Sequence, residues 1–188
     1  MGGKTCALNW IYQKEGLASG KLQSITDPTG RTLFFDRVVA RVSNVIFQTY
    51  TVAGQRRHRY QRKTVLKGTD ALIFVWDSSS DQWEENLYSI KELLKFYGPK
   101  VIAGPGGNSE VPLVVMANKR DLPNPTAIDK IREVLNAAKL GSILIYETIA
   151  ITGVNVKRAF VFAAREAVLR HYMRLQSGGT VSAKKGEL

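Results

Sequence analysis

The sequence has a single cysteine, Cys6, among 188 residues. No intrachain disulfide can form, which fits a reducing compartment. No apolar run approaches the ~20 residues that a membrane-spanning helix needs. The longest, Ala71 to Trp76, has the length of one buried strand. No basic–apolar–small signal-peptide pattern heads the chain, no internal repeat recurs, and no composition break marks a second domain. The expected location is the cytoplasm. Acidic residues are the scarcer sign, 16 against 27 basic ones, giving a net charge of +11. Such an excess attracts nucleic acid or acidic lipid. The densest cluster, "RRHRYQRK" from Arg56 to Lys63, reads as solvated side chains on an exposed helix or loop. No recognition motif accompanies it, so no specific nucleic acid is expected, while peripheral membrane contact stays open.

What is present is an α/β rhythm. Lys4 to Glu15 reads as a helix with Leu8, Ile11 and Tyr12 on one side. Gly16 to Gly30 reads as a long loop. Leu33–Val42 and Val45–Val52 are β-rich runs around Ser43-Asn44, a hairpin pattern. Arg37 and Arg41 share a face of the first run, which places it at a sheet edge. "ALIFVW", "PLVVMA" and "SILIY" follow as strands. Between and after them run helices with apolar positions Leu87, Ile90, Leu94 and Tyr97; Ile128, Ile131, Leu135 and Ala138; and Val156, Phe160, Ala163 and Ala167. Apolar strands alternating with amphipathic helices imply a mostly parallel, doubly wound sheet covered on both faces. "GPKVIAGPGGNSE" reads as an insertion outside this pattern.

Ligands of such sheets sit at the carboxyl ends of the strands, and four marked stretches fall there. "GGKT", Gly2 to Thr5, leads into a helix. Glycine-rich backbone N–H groups and a helix amino end favour phosphate, with Lys4 reaching terminal phosphates and the Thr5 hydroxyl ligating Mg²⁺. Four residues alone also read as simple glycine punctuation before a helix. "NKRD", Asn118 to Asp121, directly follows a strand. An aspartate there accepts two hydrogen bonds from guanine N1–H and its 2-amino group, which adenine cannot supply. The stem of Lys119 would cover the base and Asn118 would tie neighbouring loops, although a helix-capping turn has the same residues. In "ETIAITG" the backbone N–H of Ala150 would meet the guanine carbonyl. In "TVAGQ", Thr51 to Gln55, the Gly54 N–H would bind a γ-phosphate and Gln55 would orient the attacking water.

With these four in order, the chain resembles a small Ras/Arf-type GTPase of P-loop fold. More narrowly it is similar to the MglA-like (gliding-motility) GTPases, through "DPTGRTLFFD", "TYTVAGQ", "VLKGTDALIFVWDSS" and "NKRDLP". The resemblance implies a switch that binds GTP or GDP with Mg²⁺ and hydrolyses GTP slowly. Gly2, Gly3, Lys4, Thr5 and Cys6 would cradle phosphate, and Thr5 and Thr32 would hold the metal. Thr51 stands where most small GTPases carry an aspartate, so metal binding is expected to lean on Thr5, Thr32 and the phosphates. Arg31 would be an internal arginine finger, joining Gln55 and Lys4 as catalytic residues. Gly16–Thr32 and Ala53–Lys63 would be the switch segments, facing a Roadblock-type (MglB-like) regulator or another effector.

Members of that family begin with a central strand and a complete G-x-x-x-x-G-K-[ST] loop, whereas here only Met1 precedes Gly2. The missing strand would leave the edges of two neighbours facing each other. The expectation is a natural polypeptide that starts earlier; a true fragment and an intermolecular strand in the gap are the alternatives. Residues 1–175 would form the amino-terminally truncated G domain and 176–188 a flexible tail. The rival function is a nucleotide-free interaction module on a degenerate scaffold.

Overall fold

The computed structural model describes residues 2–13, 23–26, 32–54, 56–98, 101–102, 110–140 and 143–176, with only the backbone described at 23–26, 32–35 and 57. Among the described residues, strands and helices alternate as expected from β3 onward. Helix α1 (Lys4–Gln13) precedes the strands β1 (Gln23–Thr26), β2 (Thr32–Val42) and β3 (Val45–Val52). A 3₁₀ turn at Arg56–His58 enters α2 (Arg59–Leu66). Then come β4 (Leu72–Asp77), a second 3₁₀ turn, α3 (Trp83–Tyr97), β5 (Leu113–Asn118), α4 (Ile128–Ala137), β6 (Ile145–Glu147) and α5 (Val156–Gln176).

β1, β2 and β3 form an antiparallel sheet in that order, and β4, β5 and β6 a parallel one. Two expectations are corrected here. The stretch from Gly16 to Gly30 is not all loop, because Gln23–Thr26 pairs with β2. β2 is therefore the middle strand of its sheet, not an edge. Ser43, at φ 54°, supplies the left-handed residue of the β2–β3 turn.

All six residues of β5 are buried, as a strand covered on both faces requires. Leu113, Val115 and Ala117 pack with Ile90, Leu93, Ile131 and Leu135 from α3 and α4. Val114 and Met116 face the other way, towards Ala7 and Ile11 of α1 and Ala159, Phe160 and Ala163 of α5. In α1 the buried stripe is Ala7, Leu8 and Ile11. Tyr12, expected beside them, is 36% exposed and lies at the margin of this stripe, whose other flank is taken by Ala7. The other predicted apolar positions on α5, Val156, Phe160, Ala163 and Ala167, are all buried.

The two sheets face each other across a cavity of about 960 Å³ lined by β3 (Val45–Val52), the edge of β4 from Leu72, and residues of α1 and α5. α5 includes Gln176, so the expected tail lies, from 177 on, outside the described residues.

Candidate functional site

The amino end of α1 is shaped by two glycines. Gly3 has φ 89°, and a Cβ there would lie 2.1 Å from Asn118 Nδ2. Only glycine permits that backbone and that approach. Asn118 Nδ2 donates to the Gly2 carbonyl at 3.1 Å, and the Ala7 N–H donates to Gly3 at 2.9 Å to open the helix. A helix start leaves its first N–H groups without intrahelical acceptors, and α1 has no acidic residue in its first turn. Lys4, Thr5 and Cys6 thus open a helix end suited to an anion; Cys6 is exposed.

Beneath this end lies a group that the sequence motifs did not single out. Asp36 on β2 is 0% exposed. Its Oδ2 accepts from Thr5 Oγ1 at 2.8 Å and from Thr51 Oγ1 at 2.8 Å, while its own N–H donates to Thr51 Oγ1 at 3.2 Å. Asp36 and Thr51 are register partners across the hairpin. Thr51 itself carries no formal charge, but its register partner on β2, Asp36, sets a carboxylate beside it. The register signal was present, because a two-residue turn pairs Val42 with Val45 and, counting back, residue 36 with 51. Among the described residues no group of three or more His, Cys, Asp or Glu is placed to hold a metal ion by itself. One carboxylate with hydroxyls instead suits Mg²⁺, which keeps waters and shares phosphate oxygens.

Lys4 faces the end of β3. A Cβ on Gly54 would lie 3.0 Å from Lys4 Nζ, so "GGKT" and "TVAGQ" meet. Burial, and after it the Arg62 guanidinium, lower the Lys4 pKa, against the pull of Asp77 and Asp36. An anion at this point would favour the charged ammonium and pull the pKa back up.

The third part is built on the β5 end. Asn118 is 2% exposed and accepts at Oδ1 from the Ala150 N–H at 2.8 Å and Thr148 Oγ1 at 3.2 Å. It therefore joins the α1 start to the loop after β6. The Ala150 N–H, expected to meet a base carbonyl, has an acceptor in Asn118. Lys119, at φ 67°, places its ammonium 2.8 Å from Asp77 Oδ2 and 3.1 Å from Ser79 Oγ. Burial alone would raise the Asp77 carboxyl pKa; the hydrogen bonds from Lys119 and Ser79 outweigh it and hold the pKa below the ordinary value. Arg120 braces the turn through Glu147 at 2.9 Å and the Thr126 carbonyl at 2.6 Å. Asp121 follows, exposed.

Arg31 and Gln55 lie outside the described residues, and of Thr32 only the backbone is described, opening β2 opposite Thr26. The basic cluster is not uniformly solvated as expected. Arg56 bonds Glu85 at 2.7 Å and stacks over Tyr88, and Arg62 is buried against Glu92.

The family model described as "ADP-ribosylation factor family" matches residues 3–166. The chain is 35% identical over 162 residues to the mutual gliding-motility protein MglA of Myxococcus xanthus (strain DK1622), covering 82% of this chain and 78% of that protein. It is 29% identical over 166 residues to the Ras-related protein Rab-7a of Dictyostelium discoideum, covering 88% and 77%. The fold is similar, at TM-score 0.68 and 23% identity over 90% of this chain and 92% of the other, to the Arl6 (BBS3) small GTPase of Trypanosoma brucei solved with GppNp. The family match over most of the chain, together with the 35% identity to MglA, shows that the chain belongs to the ADP-ribosylation factor family of small GTPases.

Proposed function

We propose that this protein is a Mg²⁺-dependent guanine-nucleotide switch that hydrolyses GTP slowly and signals through 16–32 and 53–63. The observation that carries the reading is Asn118. One buried side chain holds the Gly2 carbonyl on the phosphate side and the Ala150 loop on the base side. Both ends of a single nucleotide are thereby set at a fixed spacing.

The residues divide the work. Asp121 selects guanine by accepting from N1–H and the 2-amino group. The Lys119 stem covers the base while its ammonium stays with Asp77, and the Ala150 N–H is shared between Asn118 and the base carbonyl. Gly2 to Cys6 present backbone N–H groups to the phosphates. Lys4 neutralises charge on the terminal phosphoryl, and the Gly54 N–H contacts it. Thr5 and Thr32 would ligate Mg²⁺ directly and Asp36 would hold it through water; bound there, the metal supplies charge neutralisation at the phosphates. Gln55 orients water and Arg31 stabilises charge developing in the transition state. The cytoplasm is the proposed setting, and a Roadblock-type regulator the proposed partner at the switches.

Purified protein should bind GDP in the presence of Mg²⁺ at least ~100-fold more tightly than ADP, as a site built around guanine's donors demands. Equal affinities would reject the guanine assignment. A second reading, an interaction module without nucleotide, is favoured by the cavity between β3 and β4. Protein that purifies without guanine nucleotide and takes up none would support it.

A further inference from the structure

A buried guanidinium is costly unless its donors are used. Arg62 on α2 keeps only 9% of its side chain exposed. Its Nη2 donates to both oxygens of Glu92, at 3.0 and 2.7 Å. Glu92 is itself buried, on α3. Arg62 Nη1 donates to the Ala53 carbonyl at 2.7 Å. Arg59 approaches the same carboxylate at 3.9 Å from a half-exposed position. Helix α3 thus grips α2, and α2 grips the end of β3, through one planar group.

The Ala53 carbonyl and the Gly54 N–H belong to one peptide unit. That unit is rigid and trans, so its C=O and N–H point in opposite directions, and no cis bond occurs among the described residues. Whatever fixes the Ala53 oxygen therefore fixes the Gly54 N–H. Gly54 in turn abuts the Lys4 ammonium, where the terminal phosphate is expected.

We propose that Arg62, oriented by Glu92, is a positioning residue that aims the Gly54 N–H at the γ-phosphate position and so sets the preference for GTP over GDP. The inference rests on the guanine-nucleotide reading above. A contact that only the triphosphate can make shifts the balance between the two nucleotides, whereas a contact common to both does not. The bond from Arg62 to Ala53 is of the first kind in its effect, because GDP has no group at that position. Lysine cannot replace arginine here: a single ammonium lacks the planar fork that spans carboxylate and carbonyl together.

The test measures affinities of the full chain with Mg²⁺ for GppNp and for GDP, by displacement of a fluorescent GDP analogue. Glu92→Gln and Arg62→Lys should each lower the GppNp-to-GDP preference by about fivefold or more, the worth of one mis-aimed charge-assisted contact, with GDP affinity nearly unchanged. The paired variant Arg62→Met/Glu92→Leu removes both charges together, which spares the fold an orphaned ion, and should show the same loss. Equal weakening of both nucleotides would mean a merely structural role and overturn the proposal. So would an unchanged preference, or full preference retained in Arg62→Lys, which would leave charge alone as the cause. If the unmodified protein binds neither nucleotide, the guanine reading itself falls, and this inference with it.

Discussion

Asp36 Oδ2 and Thr51 Oγ1 stand 2.8 Å apart across the β2–β3 hairpin, with Thr5 Oγ1 at 2.8 Å from the same oxygen. Two hydroxyls donate their protons to one buried carboxylate, and the Thr51 hydroxyl in turn accepts from the Asp36 N–H at 3.2 Å. Under the proposed function, the charge that would serve the metal sits on β2, one strand over from Thr51. Asp36→Asn should therefore weaken Mg²⁺-dependent GDP retention by about tenfold or more, one lost charge-assisted contact. Exchanging the pair, Asp36→Thr with Thr51→Asp, should restore most of it. Dissociation rates with and without EDTA check both.

Asp121 is exposed at the end of a turn braced by Arg120. Replacing it with Asn swaps an acceptor for a donor and leaves the backbone alone. GDP affinity should fall by about 100-fold or more. Xanthosine diphosphate, which presents a carbonyl where guanine has an amine, should gain. Competition between the two nucleotides reads the change directly.

Asn118→Ala should cost stability even without ligand. It strands the Ala150 N–H and the Gly2 carbonyl, which Asn118 bonds at 2.8 and 3.1 Å. About 2–4 kcal/mol is expected for two lost bonds to partly buried groups, measured by urea unfolding of the nucleotide-free protein.

Lys4 gives a pH signature. Its pKa is lowered in the folded state, first by burial and then by Arg62, so the unfolded chain holds the proton to higher pH. Folded stability is then poorest below the lowered pKa. It rises with pH from there up to the ordinary lysine value of 10.5, where the contribution levels off. Lys4→Met should remove this slope. It should also raise the melting temperature of the nucleotide-free protein at neutral pH by about 2–4 °C, a gain of about 1 kcal/mol. Bound GTP should reverse the order, with the parent protein the more stable. Thermal melts across pH, with and without nucleotide, decide it.

Most of the architecture was legible because β4, β5 and the helices behind them carry unmixed periodicities. Leu113 to Asn118 is apolar throughout its buried core, and the stripe Ile128, Ile131, Leu135 needs only helical geometry. β1 was hidden for the opposite reason: Gln23-Ser24-Ile25-Thr26 is too short and too polar to show alternation, and pairing with β2 alone makes it a strand. The motif residues were proposed from chemistry fixed within a few positions of chain. Asp36 and Arg62 were not, since each acts through a partner far away in sequence, Thr5 and Thr51 for one and Glu92 for the other. A charged residue inside a β-rich run or a basic cluster looks like a solvent-facing one until its counterpart is placed.

β3 and β4 turn their outer edges to the same cavity, and among the described residues no ladder joins one sheet to the other. Asp36, Thr51 and Gly54 ride on one half, Asn118 and Asp121 on the other. A molecule held at both ends would rivet the halves together. Its arrival should register first as slowed amide exchange along Val45–Val52 and Leu72–Asp77, a stiffening of the frame ahead of any movement in a loop.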